Sequence, residues 1–365
     1  MVERGHGAAG ESTEANETRG LDAAGPRESS QAGDRPPVVA DARVRQPRTS
    51  TVALALLIAI LLYGALYLFA ERLTHNYGSR NPFYKIATAP VGRESLLILG
   101  ASRGLPLTYG DMNEVLEARL GTPVLNLSAP GAGVVPNYLL LDYFIAKHGQ
   151  DAARLVVYVL DSFALSSAEW NEDRLSDSRL WQRAPLDLRL ARALWGATQH
   201  LDVPRSVFWN YVSAFSKLND PATWFEPDVW PDEHKFENAY SANRFQDQAR
   251  IAFLYPEPVQ PELLVRYETL FAELTEELDS LGVPLIVIAP PLRDEFISMI
   301  PNQADFTERT SALLEGLGVP FYDLTETGFE NSLFLDPDHL NRAGVTHLLD
   351  LALEEIIESH LAPSR

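Results

Sequence analysis

Two short stretches far apart in the chain carry side chains that could act together on an ester. Ser102 follows an apolar run at residues 96–99 and Gly100, and a hydroxyl held on such a tight turn is a candidate nucleophile if a base can reach it. Asp336 precedes His339 by three residues. At that spacing a carboxylate can hold one imidazole nitrogen and leave the other free to take a proton. We therefore predict Ser102 as the nucleophile, His339 as its base and Asp336 as the acid that orients the base.

Other residues near this histidine have structural interpretations. Asn341 is predicted to cap the helix that follows, which would fix the geometry of the loop. Asp338 is interpreted as a negative charge that favours the start of the same helix. The chain has no cysteine, and no group of histidines and carboxylates has the sequence spacing of metal ligands. We accordingly expect neither a metal nor another cofactor.

Alternating strand and helix patterns place both stretches in an α/β domain with a parallel sheet. Apolar runs predict five strands, at residues 96–99, 123–127, 155–160, 284–289 and 320–324. In open sheets of this kind ligands bind at the carboxyl ends of the strands. We therefore expect Ser102 at that edge of the sheet.

The N-terminal part of the chain predicts a tail and a membrane anchor. Residues 1–50 contain few large aliphatic side chains and are predicted to be disordered. Residues 51–70 are uncharged, and twenty such residues are long enough to cross a bilayer as a helix. A buried core helix would show a polar face, and a cleaved signal peptide would end in a cleavage site, so we favour a transmembrane signal anchor. The arginines before the span favour a cytoplasmic N-terminus, which leaves the catalytic domain outside the cytoplasm as a single-pass protein.

The alternation of predicted strands and helices divides the rest of the chain into segments. Residues 71–94 are predicted to be a juxtamembrane linker, residues 95–163 and 261–365 form the α/β domain, and residues 164–260 form an insertion. A long irregular insertion is typical of a lid or a substrate-binding elaboration. It holds all six tryptophans, which suit stacking on sugars, a membrane interface or a small core of its own.

The net charge of the chain is −20, and no basic stripe offsets it. Such a surface repels the phosphate backbone, so we exclude nucleic acid as a partner.

Three blocks together resemble the SGNH/GDSL hydrolase superfamily. Residues 96–102 resemble its first block, residues 126–131 its second, and residues 336–344 its last, which carries the acid and the base. The resemblance implies a flavodoxin-like three-layer parallel sheet and a Ser102–His339–Asp336 triad. It also implies an oxyanion hole formed by the backbone N–H groups of Ser102 and Gly131, supported by Asn126. Gly133 lies close enough in the sequence to compete with Gly131 for this role.

The chain departs from the family pattern at two positions. Ala101 stands where the first block usually has Asp, and the third block, Gly-x-Asn-Asp, is replaced by residues 160–163, Leu-Asp-Ser-Phe. The missing Asn normally supplies a third oxyanion donor. Either Ser162 or a residue of the insertion takes its place, or the oxyanion hole is weak.

These departures, the anchor and the insertion are similar to the membrane-tethered branch of the superfamily, which includes alginate O-acetylation and teichoic-acid D-alanyl transfer proteins. That resemblance implies a serine-dependent O-acyl esterase or acyltransferase acting on an acylated envelope glycan. It also implies a multi-spanning membrane acyltransferase as a partner. The alternative is a non-catalytic glycan-binding or scaffold protein of a polysaccharide-modifying complex that kept the fold and lost its oxyanion hole.

Overall fold

The computed structural model describes residues 49–77, 80–90, 95–225, 230 and 232–361. The predicted tail therefore lies outside the described residues, apart from its last two positions.

Five parallel strands form one sheet in the order β2-β1-β3-β4-β5. The strands are β1 (Ser95–Gly100), β2 (Val124–Asn126), β3 (Ala153–Val159), β4 (Leu285–Ala289) and β5 (Phe321–Asp323). This order is the doubly wound, flavodoxin-like arrangement. The predicted fold class is confirmed, and each predicted strand is present within about two residues of its expected ends.

Helices cover both faces of the sheet because successive strand residues point to opposite sides. Leu97 and Leu99 of β1 belong to one apolar core, and Leu96 and Ile98 belong to the other. The first core includes helices α4 (Val134–His148) and α10 (Pro261–Ser280), and the second includes α3 (Met112–Leu120), α13 (Arg342–Leu348) and α14 (Glu354–His360). Helices α11 (Asp294–Ile297) and α12 (Gln303–Gly316) connect β4 to β5.

The predicted insertion is helical. It contains α5 (Ser178–Gln182), α6 (Leu188–His200), α7 (Arg205–Val212), α8 (Phe215–Asn219) and α9 (Arg244–Leu254). Leu190, Leu194 and Tyr211 share the core of α4, and Lys147 on α4 pairs with Asp187 at the start of α6 at 2.5 Å. The insertion is therefore largely an extension of the main core, and its aromatic residues divide among that core, a smaller apolar cluster around Trp170 and the surface.

Two helices precede the sheet, α1 (Thr49–Tyr77) and α2 (Pro82–Thr88). The stretch Thr49–Thr74 of α1 is long and apolar enough to cross a membrane. The predicted linker at residues 71–94 differs from the structure, because α1 continues through its start and α2 packs into the core. Asn81 caps α2 with its side chain, Pro82 takes the first helical position, and Phe83 and Ile86 are fully buried.

Candidate active site

Ser102 lies just after the end of β1, two residues beyond Gly100, a position that only glycine can occupy. Gly100 has φ +144°, and a Cβ there would lie 2.5 Å from the carbonyl oxygen of Val159. The Gly100 N–H donates to Oδ1 of Asn137 at 3.0 Å, which fixes the end of the strand. Ser102 then opens a 3₁₀ turn, Ser102–Thr108, with its side chain at the edge of the sheet.

His339 and Asp336 share a tight loop before α13. Oδ1 of Asp336 accepts the backbone N–H groups of Asp338 at 3.0 Å and His339 at 2.9 Å. Asn341 caps α13 by accepting the Gly344 N–H at 2.9 Å, the position that the sequence predicts. Its amide also donates to the carbonyl of Ser332 at 2.8 Å. Backbone bonds therefore set the direction of the imidazole before any substrate arrives.

The structure brings the three predicted catalytic side chains into one hydrogen-bonded chain. Nε2 of His339 lies 2.8 Å from Oγ of Ser102, although the residues are 237 positions apart. Nδ1 of His339 lies 2.8 Å from Oδ2 of Asp336. A carboxylate can only accept here, so Nδ1 carries the proton and Nε2 is left to accept from the serine hydroxyl. This arrangement can move a proton from the serine to the imidazole.

Acidic neighbours shift the basicity of His339. Burial alone would lower the pKa of this imidazole, but the charges of Asp336 and Asp338 outweigh burial and raise its pKa above the ordinary 6.5. Burial likewise opposes ionisation of Asp336, yet the charge and hydrogen bond of His339 hold the pKa of that carboxyl below its usual value. The acid thus stays ionised while the base titrates.

We expect the Asp336→Asn variant to lose turnover by on the order of 10²–10⁴-fold, because the imidazole loses its orienting partner. The base works as neutral imidazole, so activity rises with pH through the pKa of His339. The acid limb of kcat/KM in the parent protein should lie above pH 6.5. Removal of the Asp336 charge lowers that pKa, so the limb should move to lower pH.

The control is Asp232→Asn, a carboxylate at the rim of the same cleft that pairs with Lys235. This control should leave the limb in place. A limb that stays fixed or moves upward in Asp336→Asn would contradict the predicted role of Asp336.

Sequence reasoning missed a charged network beside the triad. Arg250, on α9 of the insertion, places Nη2 3.5 Å from Oγ of Ser102 and its Nε 2.8 Å from Oδ1 of Asp338. Arg103 is buried and bonds both Asp161 and Asp338. Two guanidinium groups, of Arg103 and Arg250, and two carboxyl groups, of Asp161 and Asp338, therefore form one network beside Ser102.

Asp338 differs from its sequence interpretation. Its side chain has no exposed surface and pairs with two guanidinium groups, so it is not a solvent-facing charge at a helix start. Burial opposes its ionisation, but the charge of Arg250, then those of His339 and Arg103, hold the pKa of this carboxyl well below its usual range. No short motif could reveal this role, because the arginines come from positions 88 and 235 residues away.

Asp336, Asp338 and His339 also place ligand-type atoms within 4.8 Å of one another, a spacing that the sequence alone did not indicate. A metal would have to displace the arginines from Asp338 and the Nδ1 proton of His339 from Asp336. The donor set is better satisfied as a hydrogen-bonded ion network than as a metal site.

The triad opens into a cleft of about 470 Å³, within the size range of small-ligand sites. Aromatic and apolar side chains line it, together with arginines near its rim. Among the lining residues are Ser102, Leu105, Ala129, Pro130, Gly131, Phe163, Trp170, Arg174, Arg179, Arg183, Trp230, Arg250, Phe253, Leu254 and His339. The insertion thus forms much of the wall that faces Ser102.

Of the two candidate oxyanion glycines, Gly131 lines the cleft and Gly133 does not. The Gly133 N–H instead donates to the carbonyl of Trp170 at 2.6 Å. Gly131 has φ +64°, and a Cβ there would lie 2.8 Å from the indole of Trp170. Glycine is therefore required at this position by both backbone conformation and space.

The remaining predicted support residues lie near the site without contacting the triad. Asn126 is buried, donates to the carbonyl of Gly104 at 2.7 Å and accepts the Ser128 N–H at 2.9 Å, so it braces the turns after β1 and β2. Oγ of Ser162 bonds the hydroxyl of Tyr255, beyond α9. Ser162 therefore ties the end of β3 to the insertion.

Neither a protein-family model nor a curated protein matches the chain. Among solved structures, a Bacteroides fragilis protein described as a "putative acylhydrolase" aligns with 11% identity over 76% of this chain and 94% of its own, with a TM-score of 0.35. A likeness of this degree does not extend to activity.

Proposed function

We propose that the protein is a membrane-anchored serine O-acyl esterase or acyltransferase. The observation that carries the proposal is the 2.8 Å approach of His339 Nε2 to Ser102 Oγ, with Asp336 bonded to the opposite nitrogen. Such a chain activates a hydroxyl by removing its proton as it attacks a carbonyl.

In the proposed reaction Ser102 Oγ attacks the acyl carbonyl carbon while His339 takes the serine proton. The charge of Asp336 stabilises the imidazolium. Collapse of the tetrahedral intermediate breaks the bond to the alcohol, which receives the proton from His339. An acyl-serine remains. Water or a sugar hydroxyl, deprotonated by His339, then attacks the acyl carbon. The bond from that carbon to Oγ breaks, and Ser102 takes the proton back from His339.

The negative oxygen of the intermediate needs donors that are already in place. We assign the backbone N–H groups of Ser102 and Gly131 to this role, and we assign Arg250 to the place of the missing third donor. The guanidinium of Arg250 lies at the nucleophile and is held there by two bonds to Asp338, at 2.8 and 3.1 Å. It is also a residue of the predicted insertion, one of the two substitutes that the sequence left open.

We expect Arg250→Gln to lower kcat by on the order of 10²–10³-fold, the usual cost of losing one oxyanion donor. Arg250→Lys keeps the positive charge and should recover part of that loss. Arg179→Gln is the matched control, because Arg179 lines the same cleft but is exposed and pairs with Asp177.

The control should change kcat little. Equal kcat values for Arg250→Gln and the parent, measured on folded protein, would remove Arg250 from the reaction.

The substrate side of the proposal is an acylated envelope glycan outside the cytoplasm, reached from an anchor at α1. Its support is the set of aromatic rings in the cleft, Phe163, Trp170 and Phe253, which suit sugar or acyl surfaces, and the apolar length of Thr49–Thr74. A multi-spanning membrane acyltransferase would supply or receive the acyl group.

The test is to incubate the full-length protein in detergent with an aryl acetate and an O-acetylated polysaccharide, with and without an unacetylated glycan as acceptor. Acetate release indicates an esterase, and acetylation of the acceptor indicates a transferase. If the parent turns over neither substrate, yet the parent and Ser102→Ala bind the glycan equally, the protein is a non-catalytic binding or scaffold protein.

A further inference from the structure

The insertion carries an aromatic surface that the catalytic chemistry does not use. Trp209, Val212, Phe215 and Phe225 are 60%, 39%, 61% and 61% exposed, and we call these four residues the apolar face. Large exposed apolar patches on a protein surface usually mark a site of contact with a partner or a membrane.

The apolar face lies beside the apolar helix α1. The hydroxyl of Tyr63 donates to the carbonyl of Ser213, which stands between Val212 and Phe215. Six residues further along α1, the ring of Phe69 packs edge-on against Trp224 at 6.1 Å, and Trp224 adjoins Phe225. The face therefore runs alongside residues 63–69 of α1.

The length of α1 sets the depth of this contact. A bilayer core takes about 20 helical residues, and every window of that length within Thr49–Thr74 contains Tyr63. The windows end between Leu68 and Thr74, so Tyr63 lies about 7–16 Å inside the hydrocarbon boundary at a rise of 1.5 Å per residue. Ser213 and its neighbours Val212 and Phe215 share that depth, and Phe225, beside Trp224 at the level of Phe69, lies nearer the boundary.

A buried ion pair narrows the range of possible depths of Tyr63 in the bilayer. Glu71 bonds the ammonium group of Lys217 on α8, and Lys217 also donates to the carbonyl of Ala184 at 2.8 Å. Charges are costly in hydrocarbon, so the boundary is best placed near Leu68, with this pair at the level of the headgroups. Tyr63 is then about 7 Å deep, which matches the 5–10 Å insertion of interfacial helices.

The charge of the same segment fits an anionic lipid surface. Residues 188–219 contain three exposed basic side chains, Arg189, Arg192 and Arg205, and one exposed acidic side chain, Asp202. The whole chain has 30 basic and 50 acidic residues, so this local excess of positive charge runs against its composition. Basic residues beside an aromatic face are typical of helices that lie in a membrane interface.

We propose that α7 and α8 are inserted in the lipid leaflet beside α1, with the apolar face in contact with lipid acyl chains. This inference rests on the proposed function, because it requires α1 to span the bilayer. Helix α5, whose Leu180 and Gln182 line the cleft, packs on α8. The insertion thus holds the cleft at a set height above the headgroups, where a membrane-bound donor can reach it.

The natural lack of cysteine allows a direct test with single cysteines in the full-length protein. Trp209→Cys and Phe215→Cys test the apolar face, and Leu57→Cys tests the membrane-spanning part of α1. Leu351→Cys is the control, at an exposed site on the segment before α14. Each variant is labelled with bimane. It is then placed, one molecule per disc, in nanodiscs of phosphatidylcholine and phosphatidylglycerol that carry a nitroxide on acyl carbon 5.

The labels at positions 57, 209 and 215 should lose most of their fluorescence to the lipid nitroxide, and the label at position 351 should keep it. Quenching at 57 without quenching at 209 and 215 would overturn the inference and leave the anchor intact. No quenching at 57 would overturn the anchor and the inference together. The single molecule per disc prevents a second copy from covering the face.

Discussion

Ser102→Ala should reduce ester turnover by on the order of 10⁵-fold or more, as expected for removal of the nucleophile from a serine triad. His339 and Asp336 remain bonded to each other in this variant, so fold and glycan binding should be unchanged. The measurement is kcat on an aryl acetate, with the circular dichroism spectrum as the check of folding.

Ser128→Ala is the matched control for this variant. Ser128 is buried near the turn after β1, and its Oγ makes no hydrogen bond within the described residues. It should keep turnover within a few-fold of the parent. A Ser102→Ala protein that still turned over the ester at the parent rate would show that another group is the nucleophile.

Asp338→Ala should give the largest loss of stability, about 3–5 kcal/mol in the free energy of unfolding. The substitution removes the carboxylate that Arg103 and Arg250 share. Arg103, whose side chain is only 4% exposed, keeps Asp161, so the network of two guanidinium groups is left with one positive charge that has no carboxylate partner. An unpaired charge in such a site is far more costly than the loss of a surface pair.

The control is Asp350→Ala, which also removes an aspartate from an arginine pair, with Arg119 at 2.6 Å, but at a side chain that is 58% exposed. That substitution should cost about 0–1 kcal/mol. Both variants are compared by denaturant unfolding in detergent. Equal losses in the two would mean that the buried network adds no more than a surface ion pair.

The predictable part of the site came from local patterns. A buried strand that ends in Gly100 must turn at once, so Ser102 could be placed at the sheet edge from five residues of sequence. Asp336 and His339 bond within one loop, and a separation of three residues is visible in the sequence. Asn341 could be assigned as a cap for the same reason.

The unpredicted part depends on contacts over long distances in the chain. Arg250 is one of many arginines, and only folding of the insertion over the turn after β1 brings it to Ser102. Asp338 has the same local signal whether it faces solvent or two guanidinium groups. The prediction of a linker at residues 71–94 missed α2. Asn81 before Pro82 is a typical start of a helix and could have indicated it.

The most direct test of the catalytic role of Ser102 is covalent labelling with a fluorophosphonate, followed by mass spectrometry of the modified peptide. An activated serine loses its proton to His339 and displaces fluoride from phosphorus, whereas an ordinary serine does not react. We predict that the full-length protein is labelled at Ser102 and that His339→Ala is not labelled. Correctly folded protein that stays unlabelled at Ser102, or is labelled equally well without His339, would contradict the proposed triad.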